Sequence, residues 1–225
     1  LMARSDALYL PGNYTTGGLD LSWLERMDYY AWMDTYVASG EGVTGADGSL
    51  EVTIPAEKLL ALGITQRNTL VLEASAVDES NFPVSKRGEA YFHPASYYIG
   101  LRADSWTARA GEELGFSIQA VDWQGAPSGE HAMSAVFSKV DWIMDEGGYS
   151  YRRELTQVNG SDLSTDAQGR ARLAFTPAEA GSYQLTVVGE GALTELLVWV
   201  SGTGSPPWPS LPDESLRLDT DASEY

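Results

Sequence analysis

Ala180-Gly181-Ser182-Tyr183-Gln184-Leu185-Thr186-Val187 sets a tyrosine just after a corner glycine and just before an alternating strand. In immunoglobulin-like sandwiches a tyrosine so placed sends its hydroxyl back to the preceding corner while its ring packs on the core edge. The same letters also read as an ordinary strand aromatic, so the flanking chain has to be weighed with them. Working outward, Arg170 to Phe175, Ser182 to Val188 and Leu193 to Val200 alternate with period two and read as half-buried strands. Further upstream, Tyr97 to Ala103 opens the unit, and Glu113 to Val121 sets Leu114, Phe116, Ile118 and Ala120 on one face. Asp122 to Pro127 turns the chain, and His131 to Ile143 is a long strand with room for a bulge. Asp145-Glu146-Gly147-Gly148 is another turn, after which Tyr149 to Val158 pairs back towards Asn159-Gly160, itself a tight-turn signal.

Much of this pattern occurs twice. Asp47-Gly48-Ser49-Leu50-Glu51-Val52-Thr53-Ile54-Pro55 matches Asp166 to Pro177, an acidic glycine turn running into an alternating strand that stops at proline. Leu70 to Ala74 matches Tyr183 to Val187, and Leu101 to Ser105 matches Leu216 to Thr220. The fold class expected is all-β, with two tandem immunoglobulin or fibronectin-III-like antiparallel sandwiches. Residues 1–93 form the first, which lacks a counterpart of the Tyr97 to Ala103 strand, and residues 94–202 form the second, complete one. Residues 203–225 are a proline-rich linker and the opening strand of a following domain.

Within the first unit, Met2 to Leu10 reads as a strand, Pro11-Gly12-Asn13 as its turn, and Leu19 to Trp23 as the strand's partner. Met27 to Val37 is aromatic-rich and fits a strand or an irregular loop. Glu57 to Leu62 is the one helical turn, and Thr69 to Val77 and Gly88 to Phe92 are strands joined by the loop Asp78 to Pro83. Gly202 to Ser210 should run extended, because proline blocks sheet pairing and stiffens a linker. Phe92-His93-Pro94-Ala95-Ser96-Tyr97 leaves almost no slack, so the two units should meet stiffly near Pro94.

Composition narrows the function classes. Cys is 0 among 225 residues, so disulfides are not the staple, and each unit is long enough to bury a core without them. The net charge of -18 argues against a nucleic-acid partner and against direct contact with an anionic membrane. No apolar run approaches the ~20 residues of a membrane span. Leu1-Met2-Ala3-Arg4 is not a signal peptide, so any export signal or anchor is expected outside this section.

Convergent reactive groups are thin. His93 precedes Pro94 at the expected junction, where capping or packing suits it, and His131 opens a strand as a surface residue. Neither has a neighbour at metal-ligand spacing. Asp162 with Asp166, Asp145 with Glu146, and Asp219-Thr220-Asp221 resemble fragments of calcium loops but lack the rest of the ligand set, so turn-forming and solubilising acids is the preferred reading. Tyr29, Tyr30, Trp32 and Tyr36 cluster in one segment, and Trp142, Tyr149 and Tyr151 straddle the Asp145 to Gly148 turn. Such aromatics stack on sugars or pack in cores, and core or domain-interface packing is preferred. No catalytic, cofactor-binding or metal-binding residue is assigned, no cofactor is expected, and the chain is not expected to be an enzyme.

The order of short motifs carries a family resemblance. His93-Pro94 before Ala95-Ser96-Tyr97-Tyr98-Ile99-Gly100-Leu101, Ala110-Gly111-Glu112 leading into a strand, Asp122-Trp123-Gln124-Gly125-Ala126-Pro127, Thr165 to Gly169, Pro177 to Tyr183 and Val198 to Gly202 together resemble the macroglobulin-like domains of bacterial alpha-2-macroglobulins. Tyr9 to Trp23, with Gly17-Gly18, resembles the preceding domain of those proteins, and Leu218 to Tyr225 the next one. The resemblance implies a section of a large, broad-spectrum endopeptidase inhibitor, periplasmic or secreted and often a membrane-tethered lipoprotein. In such proteins a protease cuts a flexible bait segment, the domain frame collapses, and in many a thioester captures the attacker. A thioester needs cysteine, which this chain lacks, so it is expected to be frame, with Gly202 to Glu214 the exposed stretch to consider as bait. Its expected partners are proteases through the full-length parent and neighbouring macroglobulin-like domains. The alternative from another class is a bacterial surface adhesin or carbohydrate-binding array, with Trp32 or Trp142 in the ligand platform.

Overall fold

The computed structural model describes residues 1–19, 21, 34–77, 80–144, 146 and 150–202. Nearly every regular element in it is a strand, and the pairing is antiparallel except at one sheet edge.

Alternation in the second half of the chain becomes two packed layers. β6 (Tyr98–Ala103), β8 (Leu114–Val121) and β11 (Arg170–Phe175) pair in the order β11-β8-β6, and β2 (Thr15–Thr16) adds to the free side of β6. The facing sheet runs β10 (Tyr151–Ser164), β9 (Ala132–Met144), β12 (Gly181–Gly189), β13 (Ala192–Ser201) and β7 (Thr107–Arg109). Because side chains alternate along a strand, one set from each sheet points into the space between them. That set is Ile99, Leu101 and Ala103, Leu114, Phe116, Ile118 and Ala120 from the first sheet. Met133, Ala135 and Phe137, Tyr183, Leu185 and Val187, and Leu196, Val198 and Val200 answer from the second. Phe116, Phe137, Phe175 and Tyr183 touch in sequence, with centroids 5.3, 4.6 and 5.6 Å apart, and so tie the two layers through ring contacts. Leu101 and Leu185 are fully buried; truncating either to alanine costs about 2–5 kcal/mol.

The strand order defines the class. The chain leaves β6 in one sheet and enters β7 in the other, where β7 pairs parallel with β13. Tyr183, at the start of β12, donates its hydroxyl to the carbonyl of Glu179 at 2.9 Å and is itself buried. This is the tyrosine corner of an immunoglobulin-like sandwich, so the corner reading of Tyr183 holds over the plain strand reading.

The first half supplies one sheet among the described residues. β1 (Met2–Ser5), β3 (Thr35–Tyr36), β4 (Asn68–Val77) and β5 (Pro83–Phe92) lie in the order β3-β1-β4-β5. α1 (Ala56–Leu60) follows Pro55 and buries Leu59. β4 and β5 form a hairpin with Leu72 opposite Gly88. One face carries the Glu73–Arg87 ion pair and the Ser75–Ser85 hydrogen bond, while the other carries Leu72, Ala74, Ala76 and Val84, all exposed.

Several sequence expectations change. Leu50 to Ile54 is not a strand: the turn before it forms, with Gly48 at φ +77°, but Leu50 and Val52 are exposed and pair with no described strand. Alternation supplies propensity, and a strand also needs a neighbour to complete its backbone hydrogen bonds. Met2 to Leu10 is not one strand, and among the described residues only Leu10 bridges across the Pro11-Gly12-Asn13 turn, to Tyr14. β1 ends at Ser5, its partners are β3 and β4, and the chain beyond Leu10 crosses to the second sandwich. Most of the expected partner Leu19 to Trp23 and of Met27 to Val37 lies outside the described residues. Asn159-Gly160 is not a turn. A type I′ turn needs positive φ at both positions and neither has it; both sit inside β10, where Val158 is the extra residue of a bulge. The bulge expected in His131 to Ile143 thus belongs to that strand's partner. β7 has no counterpart in the sequence reading.

Candidate functional site at the junction of the two units

Where the units meet, the segment from Leu10 to Leu19 lies against the second sandwich. Pro11-Gly12-Asn13 turns with Gly12 at φ +92° and Asn13 at φ 60°, closing a bridge between Leu10 and Tyr14. Leu10 packs with Tyr98 and Val121 on the outer face of the sheet that holds β6. Thr15 and Thr16 then pair with Leu101 and Gly100. Next, Gly17 joins the opposite sheet: its carbonyl accepts the Glu195 N–H at 3.0 Å, and its N–H donates to Thr194 Oγ1 at 3.0 Å. The Thr194 hydroxyl in turn donates to the Ile99 carbonyl at 2.6 Å. Gly18 N–H donates to Thr65 Oγ1 of the first unit at 2.9 Å, so these two glycines touch both units. Gly17 requires glycine, because its φ is +79° and a Cβ there would lie 2.7 Å from Gln66 Cβ.

A polar chain extends this contact over the outer face of the five-stranded sheet. Leu19 N–H donates to Glu195 Oε2 at 3.0 Å, and Gln184 Nε2 donates to Glu195 Oε1 at 2.9 Å. Arg153 Nη1 donates to Gln184 Oε1 at 3.0 Å. Gln184 is buried, so its satisfied amide orients its neighbours rather than solvating them.

His93 forms the second half of the junction. Its ring stacks on Trp123 at 4.5 Å, and its Nδ1 shares a 2.8 Å hydrogen bond with the Tyr98 hydroxyl. Trp123 Nε1 donates to the Ala95 carbonyl at 2.8 Å, closing the turn around Pro94. Arg67 lies over Tyr91 at 5.0 Å and pairs with Asp6 at 3.0 Å. Burial, and then the positive charge of Arg67, pull the His93 imidazole below its ordinary range, and burial pushes the Tyr98 phenol up to about 12. Both groups are therefore neutral at physiological pH, with the Tyr98 ring set edge-on to the imidazole it is hydrogen-bonded to.

The other singled-out residues scatter. His131 is not a surface residue: its ring stacks on Tyr97 at 3.7 Å and its Nε2 shares a 2.8 Å hydrogen bond with Ser128 Oγ, because the buried Tyr97 ring offers it a flat apolar face. Asp166 is a turn residue, its Oδ1 accepting the N–H groups of Gln168 and Arg170 at 2.9 and 2.8 Å, and these bonds hold its carboxyl below the usual range. Asp47 does the same for Ser49 in the matching turn of the first unit. Asp162 sits on β10 opposite Ser134, and Glu146 is exposed. No group of three His, Asp or Glu among the described residues is placed to hold a metal ion. Trp142 is half-buried, with its indole N–H buried and unpaired, and Tyr151 is buried, so both pack rather than present an open stacking face. Tyr36 is exposed and shares a 2.8 Å hydrogen bond with Ser39. Asp145, Tyr149, Tyr29, Tyr30, Trp32, Asp219, Asp221 and residues 203–225 lie outside the described residues. Among the described residues no helix is long and apolar enough to cross a membrane.

The described geometry is that of an all-β array in which an immunoglobulin-like sandwich is clasped to a preceding sheet. No family model and no curated protein sequence matches the chain. Solved structures match in fold. The trypsin-activated alpha-2-macroglobulin of Escherichia coli aligns over 90% of this chain and 14% of its own, with a TM-score of 0.53 and 17% identity. The native form of the Escherichia coli protein aligns over 89% of this chain and 13% of its own, with a TM-score of 0.52 and 15% identity. A mutant Salmonella alpha-2-macroglobulin aligns over 88% and 14%, with a TM-score of 0.50 and 15% identity. At these identities the likeness is one of fold. The resemblance read in the sequence is thus found in three dimensions, and this chain spans about one seventh of the length of the proteins it matches.

Proposed function

We propose that this chain is a frame section of a bacterial alpha-2-macroglobulin-like, broad-spectrum endopeptidase inhibitor, contributing rigidity and interdomain contacts and no chemistry of its own. The observation that carries the reading is the double clasp between the units. A segment continuous with the first unit completes an edge of the second sandwich, and the His93 ring, stacked on Trp123 and hydrogen-bonded to Tyr98, locks the short connection beside it. A module meant to act alone has no use for an edge strand supplied by its neighbour, whereas a frame that must move as one body does. In this reading the division falls at His93–Pro94, and a further domain follows the stretch after Gly202. The parent protein works in the periplasm or outside the cell and is held there by an anchor elsewhere in its sequence. Proteases meet the parent, and this section meets the neighbouring macroglobulin-like domains.

The test is made on the parent. Deleting residues 1–202 should abolish the mobility shift that accompanies protease-triggered collapse, and trapping that survives the deletion intact would sink the reading. Small-angle scattering on the present chain should show one elongated body; free articulation about Pro94 would contradict the rigid clasp.

A further inference from the structure

We infer that the outer edge of β6, with the adjoining start of β13, is a strand-acceptor site that holds the segment Leu8–Leu19 as a detachable ligand. Three features mark the site as built for an incoming strand. Gly100, in the middle of β6, has no side chain where any Cβ would lie 2.7 Å from Leu10 Cδ1 and 3.2 Å from Tyr14 Cβ, so the groove floor is cut to the segment's shape. Thr194 is fully buried yet polar, and its hydroxyl bridges the groove wall at Ile99 to the Gly17 N–H. Arg102 lies over the Tyr14 ring at 4.9 Å and covers the segment's far side.

The contacts are those of strand addition to a sheet edge. Main-chain hydrogen bonds hold the segment, and a pocket for one large side chain fixes its register. Here the pocket residue is Leu10, against Tyr98 and Val121, and the close backbone approach is at Gly17-Gly18. The sandwich core does not include the segment: none of residues 8–19 belongs to the main cluster around Leu101 and Phe116. A strand held at an edge by main-chain bonds and one small cluster of its own, Leu10 with Tyr98 and Val121, leaves by local opening while the rest stays folded. The acceptor edge then takes an extended segment of the same chemistry, one large aliphatic residue followed by a Thr-Thr-Gly-Gly stretch. This site shares its contacts with half of the clasp on which the frame reading rests, and the His93 ring, stacked on Trp123 and hydrogen-bonded to Tyr98, keeps the connection closed while the segment is out.

The experiment uses the full chain. In Leu10→Asp/Gly17→Val the resident segment is disabled and the acceptor edge is left intact. A fluorescent peptide of residues 8–19 should bind this variant with a micromolar dissociation constant, at least about tenfold more tightly than it binds the unaltered chain. Adding Gly100→Val fills the groove and should abolish binding. Absence of binding to the folded double variant, equal binding to the unaltered chain, or binding that survives Gly100→Val would each overturn the proposal. Should the double variant fail to fold, Gly100→Val alone provides the second arm. Amide exchange over residues 10–19 should rise by at least about tenfold while β8 and β12 stay protected. Unchanged exchange, or loss of protection throughout the sandwich, would overturn it.

Discussion

Thr194→Val tests whether the junction is held by hydrogen bonds or by shape alone. Valine has nearly the volume of threonine, so the change opens no cavity at a residue that is 0% exposed. What it removes is one hydroxyl that donates to Ile99 O at 2.6 Å and accepts from Gly17 N at 3.0 Å. A net hydrogen bond contributes about 0.5–1.5 kcal/mol, and a buried group left without its partner costs about 1–3 kcal/mol. Ile99 is in the core and its carbonyl gains no water. Gly17 lies on the edge segment, which can shift outward and regain part of its loss. The expected destabilisation is therefore about 2–4 kcal/mol, near the upper end of what a single polar contact supplies. Thr194→Ser keeps both bonds and loses one methyl group, for about 1 kcal/mol. Urea unfolding followed by tryptophan fluorescence reads both, with the midpoint shifting and the slope unchanged. If the valine variant stays within about 0.5 kcal/mol of the parent and the serine variant is the weaker of the two, packing and not the hydroxyl holds this junction.

Tyr183→Phe keeps the ring against Phe175 and deletes the bond to Glu179 O, so it should cost about 1–2 kcal/mol in the same assay; no loss would remove the corner bond from the account of stability. His93 has its imidazole depressed in the fold, so above the ordinary value near 6.5 it adds no pH dependence. As pH falls below that value the unfolded chain takes up a proton that the folded junction resists, and stability declines until the folded group titrates. The urea midpoint should drop over that window and the drop should vanish in His93→Phe; a midpoint flat in the parent would refute it. Gly191→Ala, at φ +84° with open space around it, should cost about 1–2 kcal/mol. Gly169→Ala adds a Cβ 2.5 Å from Ala120 O and 2.6 Å from Ser128 O, and should cost about 1–3 kcal/mol more than Gly191→Ala. Equal thermal midpoints for the two would show that backbone conformation alone sets the cost.

The second sandwich was legible because its signals agree. Leu114, Phe116, Ile118 and Ala120 alternate, Phe175 and Tyr183 bracket a corner, and each strand ends in a glycine, proline or acidic turn. The first unit was harder, since a strand's partner is not written beside it. Leu50, Val52 and Ile54 alternate as cleanly as Ala171, Leu173 and Phe175, yet only the latter lie next to a strand that accepts them. Asn159-Gly160 failed as a turn for a related reason: the dipeptide permits positive φ but does not impose it, and pairing with β9 on both sides kept the backbone extended. The junction was half legible. His93 before Pro94 pointed to packing, and Gly17-Gly18 stood out as a motif, but the contacts from Gly17 to Thr194 and from Leu19 to Glu195 span 177 and 176 residues. No local pattern announces a pairing at that range.

The parallel pairing of β7 with β13 has a mechanical consequence. Trp199, Val200 and Ser201 run beside Thr107, Ala108 and Arg109 in the same direction. The chain passes through β6 in the facing sheet before it reaches the leading end of β7, and it leaves the sandwich at the trailing end of β13. Once β6 has given way, tension along the polypeptide pulls β7 and β13 past each other lengthwise, loading all their hydrogen bonds at once instead of opening them one after another from an end. The antiparallel hairpin of β4 and β5, pulled from its open end, would yield as a zipper does. Under load the clasped sandwich should thus be the stiff link and the hairpin the compliant one, so that a sudden displacement of neighbouring parts is passed through the former and absorbed by the latter.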